Sequence, residues 1–343
     1  MASLPVHVLT GFLGAGKTTL LNRLIRSGGF ADTAVIINEF GDVGIDHMLV
    51  EAAEGGEPMI ELSDGCLCCT VRSDLVDTLM QIAERIDAGA TLDRVVIETT
   101  GLADPAPVLQ AVMATPGLNE RFHVASVVTV VCAATGLASL DGHAEARKQA
   151  ALADRIVLTK TDLAPASDAL MERLTELNPL VAPVDARAHD FELVLDDAAL
   201  TAADVPDDAH GHHHHHDVNR HDAAIEAFTL THDAPIPART VDMFADLLRS
   251  SMPNELLRMK GVVQTAEDTD RPLVVHGVQS VFHPPVRLDG WGGQKPETRL
   301  VVIARNGNRA HIEGLFAAFT GGIAPDRPDA QALTENPLAI PGM

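Results

Sequence analysis

Short apolar, β-branched runs alternate along the first part of the chain with longer stretches of mixed character. They fall at Val6 to Leu9, Ala34 to Ile37, Met59 to Leu62, Arg94 to Ile97, Val124 to Val131 and Arg155 to Leu158. Near-continuous hydrophobicity predicts strands buried on both faces, and the spacing leaves room for crossover helices. The pattern therefore predicts an α/β fold with a mostly parallel sheet and ligands at the carboxyl ends of its strands.

The pattern changes after Asp196. From there to Asp222 the chain is rich in Ala, Asp and His and includes His210-Gly211 and the run His212 to His216, which predicts a polar linker. Beyond it, Ile225 to Thr231, Leu256 to Thr265, Leu273 to Phe282 and Thr298 to Ala304 read as strands, with helices at Ala238 to Leu248 and His311 to Phe319. Strands with only two helices predict a smaller α+β domain whose sheet is covered on one face. The expected division is a first domain at 1–200, a His-rich linker at 201–222, a second domain at 223–323 and a flexible tail at 324–343, where four prolines fall in the last twenty residues.

A length of 343 residues suits two domains, and 46% hydrophobic with 21% charged residues suits folded ones. Lys plus Arg number 25 against 48 Asp plus Glu, a formal charge of -23, so the surface repels phosphate backbones and anionic membranes. Nucleic acid is not an expected partner. No apolar stretch reaches the roughly 18 residues of a membrane-spanning helix. Three of the four cysteines crowd into Cys66, Cys68 and Cys69, and Met1 to Pro5 leads directly into a strand without a signal-peptide pattern. Reduced thiols in a cytoplasmic protein are expected.

The segment Gly11-Phe12-Leu13-Gly14-Ala15-Gly16-Lys17-Thr18-Thr19 fits G-x-x-x-x-G-K-[ST] and lies between a strand and the helical run Leu20 to Ile25. That context predicts a P-loop NTPase. Its glycines let backbone N–H groups approach phosphates, Lys17 reaches the β- and γ-phosphates, and Thr18 ligates Mg2+. The Mg2+ site also calls for an acidic group at a buried strand end, which Glu98 supplies, and Gly101 lets the following loop approach the γ-phosphate. Thr159-Lys160-Thr161-Asp162 is similar to the guanine-reading N-K-x-D element, in which the carboxylate accepts from guanine N1 and N2 hydrogens. Thr159 stands where that element has Asn. The nucleotide expected is GTP, with an ATPase whose cysteines merely pack as the alternative.

Gly65-Cys66-Leu67-Cys68-Cys69 places three thiols within four positions. On an extended backbone Cys66 and Cys68 project to one side and Cys69 to the other, so two sulfurs reach one ion readily and the third through a turn. Soft thiolates favour Zn2+ or Cu(I). A redox pair and simple packing are the competing readings. In a parallel sheet the strand ends before Gly11 and before Cys66 share one edge, which predicts metal and phosphate as neighbours. Between them, Ile37 to Asp46 is acidic and Gly-punctuated, with the character of a switch that brings Glu39 to the thiolate-bound ion. The histidine run is expected either to gather metal without fixed geometry or to have no function, and Cys132, at the end of a buried run, is expected to pack.

Together, Gly11 to Thr19, Asn38-Glu39-Phe40-Gly41, Gly65 to Cys69, Glu98 to Gly101 and Thr159 to Asp162 resemble the CobW-type family of P-loop GTPases. Leu256 to Val263 is similar to the opening of that family's C-terminal domain, so the resemblance spans nearly the whole chain. It implies a GTP-dependent metallochaperone in which the C-x-C-C cysteines hold zinc and GTP hydrolysis controls transfer to a client apo-metalloprotein. A cobalt chaperone serving cobalamin synthesis or a metalloenzyme, and a metal-buffering GTP-binding protein, are the alternatives. The resemblance also implies Mg2+, slow intrinsic hydrolysis and client or subunit contacts through the C-terminal domain, with homo-oligomerisation left open. Cys132 is a departure, since relatives usually carry Asp there.

Overall fold

The computed structural model describes residues 3–26, 32–37, 60–61, 70–187, 225–279, 281–306 and 308–321, with backbone alone at 60–61 and 70–74. The first unit runs β1 (Leu4–Thr10), α1 (Lys17–Arg26), β2 (Thr33–Ile37), β3 (Ile60–Glu61), α2 (Thr70–Asp87), β4 (Arg94–Glu98), α3 (Ala106–Ala114), β5 (Phe122–Cys132), α4 (Gly136–Gly142), α5 (Ala144–Leu152), β6 (Arg155–Thr159), α6 (Asp168–Leu177) and β7 (Val184–Asp185). The seven strands lie in the order β3-β2-β4-β1-β5-β6-β7, and every pairing is parallel. Val6, Val8, Val95 and Ile97 face one core with Leu79 and Leu109, while Leu9, Val96 and Val128 face another with Leu20, Leu21 and Leu24. Helices therefore cover both faces, as the unbroken apolar runs require. Each such buried side chain contributes about 1.5–3 kcal/mol.

The second unit contains β8 (Ile225–His232), α7 (Ala238–Ser251), β9 (Leu256–Thr265), β10 (Asp268–Val278), β11 (Val281–Phe282), β12 (Val286–Arg287), β13 (Thr298–Arg305) and α8 (Arg309–Phe319). Its antiparallel sheet runs β11-β10-β9-β13-β8, with β12 added beside β10. One face packs on α7 and α8 through Phe228, Phe244, Leu248 and Phe316.

The opposite face differs from expectation, because it is covered too. Ala227, Leu257, Val262, Val301 and Ile303 join one apolar cluster with Val124 and Leu152 of the first unit. All ten residues of β9 are buried, Arg258 and Lys260 included. A bulge helps: Ile303 pairs with Arg258 and Ala304 with Leu256, so Leu257 is the extra residue on β9. A charged alternation that reads as a solvent face is here an interface, since Asp154 accepts from Arg258 and, at 3.1 Å, from Lys260.

Candidate functional site

The turn after β1 is built from backbone more than from side chains. Gly11 has φ +143°, and a Cβ there would lie 2.3 Å from Val130 O, so only glycine lets the chain leave β1 against β5. Ala15 N donates to Phe12 O at 3.1 Å and Leu20 N to Gly16 O at 2.9 Å, which closes the loop onto the start of α1. Gly14 and Gly16 also have positive φ. The loop thereby leads into the N-terminus of α1, a favourable place for phosphate. Lys17 is buried and its Nζ donates to Gly11 O at 3.0 Å, across the loop.

β4 lies beside β1 and brings its end to the same place. Glu98 is 3% exposed, and Thr18 Oγ1 donates to its Oε1 at 2.7 Å. Thr99 N donates to Leu9 O at 2.9 Å and Thr99 Oγ1 to Thr10 Oγ1 at 2.9 Å, locking the two strand ends. A hydroxyl and a carboxylate meeting here make an all-oxygen donor pair of the kind Mg2+ takes. At Gly101 a Cβ would sit 2.8 Å from Leu13 N, so the loop after β4 presses directly on the P-loop backbone.

At the end of β6, Thr159 Oγ1 donates to Ala15 O at 2.5 Å. Thr in place of Asn thus braces the P-loop. Lys160 has φ +56°, a left-handed conformation that costs a non-glycine residue about 1–2 kcal/mol, and its Nζ donates to Gly14 O at 2.8 Å. Asp162 stands exposed at the rim, 3.9 Å from Arg187 Nη1. That partner was not anticipated from sequence. Asp185 Oδ1 accepts from Thr161 Oγ1 at 3.0 Å and from Arg187 N at 2.8 Å, which joins the turn after β7 to the turn after β6. A two-residue strand carries too little periodicity to announce it.

Gly11, Gly14, Ala15, Gly16, Lys17, Thr18, Glu98, Gly101, Thr159 and Lys160 are thus brought together at one sheet edge. Thr19 belongs to the first turn of α1, and Asp162 lies farther out. Cys66, Cys68, Cys69, Glu39 and the histidine run fall outside the described residues. β3, which leads toward Cys66, is parallel to β1 and shares its carboxyl edge, but β2 and β4 intervene. At about 4.8 Å per strand the offset between the two strands is about 14 Å, and the expected neighbourhood of metal and phosphate rests on residues outside the described ones.

Cys132 is buried with a free thiol. Burial pushes that thiol up, but hydrogen bonds from Thr135 and from the Ala134 backbone, with the Lys160 charge, outweigh it and leave it below the ordinary thiol value. Among the described residues no group of three or more His, Cys, Asp or Glu is placed to hold a metal ion.

Residues 5–184 match the CobW/HypB/UreG nucleotide-binding domain and residues 225–320 the cobalamin synthesis protein CobW C-terminal domain. The zinc chaperone YjiA of Escherichia coli is 32% identical over 326 residues, covering 94% of this chain and 99% of that protein. The zinc-regulated GTPase metalloprotein activator 1 of Saccharomyces cerevisiae is 25% identical, covering 91% of this chain and 82% of that protein. The crystal structure of Zn(II)-bound YjiA GTPase from E. coli superposes with a TM-score of 0.70 at 28% identity, over 93% of this chain and 99% of that one. A P-loop closed by Thr18 and Glu98, a second sheet docked on helices α3, α5 and α6 of the first unit and likeness along nearly the whole length agree: the chain belongs to the CobW family of P-loop nucleotide-binding proteins.

Proposed function

We propose that this protein is a GTPase that holds zinc at Cys66, Cys68 and Cys69, with Glu39 joining in the GTP state, and releases it to a client metalloprotein on hydrolysis. The observation that carries this reading is similarity along 94% of the chain to a protein named a zinc chaperone. In the site, Lys17 contacts the β- and γ-phosphates, and the P-loop N–H groups from Gly11 to Thr19 cradle them. Thr18 and Glu98 hold Mg2+, which when bound neutralises charge on the phosphate oxygens. Gly101 keeps its loop against the P-loop beside the γ-phosphate. Asp162 accepts from guanine, and Thr159 and Lys160 keep that turn fixed on the P-loop through Ala15 O and Gly14 O.

Zinc is preferred over cobalt as the transferred ion because thiolates favour it and because YjiA is named for zinc. Delivery to a metalloprotein is supported by the name of the yeast relative. Among the described residues no helix is long and apolar enough to cross a membrane, consistent with work in the cytoplasm.

Zinc competition with a chromophoric chelator, on the reduced protein, tests the metal half of this reading. Cys66→Ala with Cys68→Ala is expected to remove the tight site, and deletion of 210–216 to leave it. A tight site that survives loss of both cysteines would overturn the assignment. GTP turnover well above ATP turnover is expected alongside; equal turnover would remove the role given to Asp162.

A further inference from the structure

The loop that follows Glu98 is held from below by a helix outside every motif. Gln149, on α5, is wholly buried, and its Nε2 donates to Gly101 O at 3.2 Å and to Ala103 O at 3.0 Å. Two carbonyls need a donor, so the amide orientation is set by its partners. The other end, Oε1, finds no protein partner, and Gln149 lines a cavity of about 20 Å3 with Phe12, Leu13 and Thr135, room for about one water. Beside it, Lys148 pairs with Asp104, and Asp104 Oδ1 accepts from Ala106 N at 3.0 Å at the start of α3. His143, which leads into α5, stacks on Phe12 of the P-loop with centroids 4.4 Å apart. Helix α5 thus touches the P-loop and grips the loop from Gly101 to Asp104.

We infer that Gln149, assisted by Lys148, is a positioning residue for GTP hydrolysis; the inference rests on the GTPase reading above. The peptide unit is planar, so drawing the Gly101 carbonyl down to Gln149 turns the Leu102 N–H to the opposite side, away from α5. Without the carboxamide, that peptide loses its anchor on α5, and the buried Gly101 carbonyl and the partly buried Ala103 carbonyl lose their donor. A donor aimed at the γ-phosphate contributes only where charge develops during its transfer, so its misplacement slows the chemical step and spares the binding of GDP.

The experiment is single-turnover GTP hydrolysis by the full chain with Mg2+, paired with GDP affinity, for the wild type, Gln149→Met and Lys148→Met. Gln149→Met is expected to slow hydrolysis by about tenfold to hundredfold, the range for misplacing a catalytic group by about 1 Å, with GDP affinity unchanged. Lys148→Met is expected to slow it severalfold with the same selectivity. Unchanged hydrolysis in a folded Gln149→Met overturns the inference, as does a parallel loss of hydrolysis and GDP affinity, the mark of a purely structural role. If Gln149→Met does not fold, Lys148→Met decides in the same way. A wild type that binds GTP without hydrolysing it overturns the GTPase reading and this inference together, an outcome distinct from the others.

Discussion

Glu98 sits almost wholly buried at the end of β4, where its carboxylate accepts from Thr18 Oγ1. Glu98→Gln preserves shape and removes the charge, so it is expected to slow GTP hydrolysis by about a hundredfold or more, with GDP affinity changed only slightly, in single-turnover and equilibrium binding assays. Asp162 is exposed, and its contact with Arg187 contributes little by itself. Asp162→Asn is expected to weaken GTP by about tenfold to hundredfold, the worth of hydrogen bonds to a charged group, while ATP affinity stays as it was. The meeting of Lys17, Thr18 and Glu98 at one sheet edge was legible in sequence because each sits in a motif whose spacing the chemistry imposes. Gln149 and Arg187 were not, since a Gln inside a helix and an Arg after a two-residue strand look like any others; only packing shows what they hold.

Helix α5 shows the same limit one level up. Its run Ala144 to Leu152 has little amphipathic pattern, because it is buried against several neighbours. Its end illustrates how a buried helix satisfies its last carbonyls. Asn178 Nδ2 donates to Ala150 O at 3.1 Å, Ala151 O at 3.4 Å and Ala153 O at 2.8 Å, and Arg258 of β9 donates to Leu152 O. Asn178→Ala leaves those acceptors buried without that donor and is expected to destabilise the protein by about 1–3 kcal/mol in urea unfolding. Ser167 caps α6 by accepting from Leu170 N at 3.2 Å in a partly exposed setting, and Ser167→Ala is expected to cost about 1 kcal/mol. The parallel strands were readable from their apolar runs. The second face of the C-terminal sheet was not, because Arg258 and Lys260 carry a solvent pattern whose meaning depends on Asp154, over a hundred residues earlier.

At the scale of the whole molecule that buried cluster joins the two units. Burial works against the charge of Asp154, yet Arg258 and Lys260 hold its carboxyl well below the usual carboxylate range. Asp154→Ala leaves two buried cations and is expected to destabilise by about 3–5 kcal/mol. Beside it, His276 and His283 stack with centroids 4.6 Å apart. Burial and the nearby Arg258 and Lys260 push His283, with His123 adding to the effect, down to about 4 and His276, with His283 adding to it, well below its ordinary value, although Asp154 opposes both. Unfolded histidines titrate near about 6.5, so between pH 6.5 and 4 the unfolded chain binds protons that the folded chain refuses. Stability is therefore expected to be full above that window and to fall as pH drops through it, with a shallower slope in His283→Gln. The same interface lets the nucleotide loop, through α5 and Arg258, and α3, through Gln110 Nε2 to Gln279 Oε1 at 2.9 Å, bear on the C-terminal sheet. The central claim is that nucleotide state governs metal affinity. It is tested most directly by the zinc affinity of the reduced protein with GDP and with a non-hydrolysable GTP analogue. Linkage predicts a difference of about fivefold or more between the two states, abolished by Cys66→Ala with Cys68→Ala. Equal affinities in both nucleotide states would contradict it.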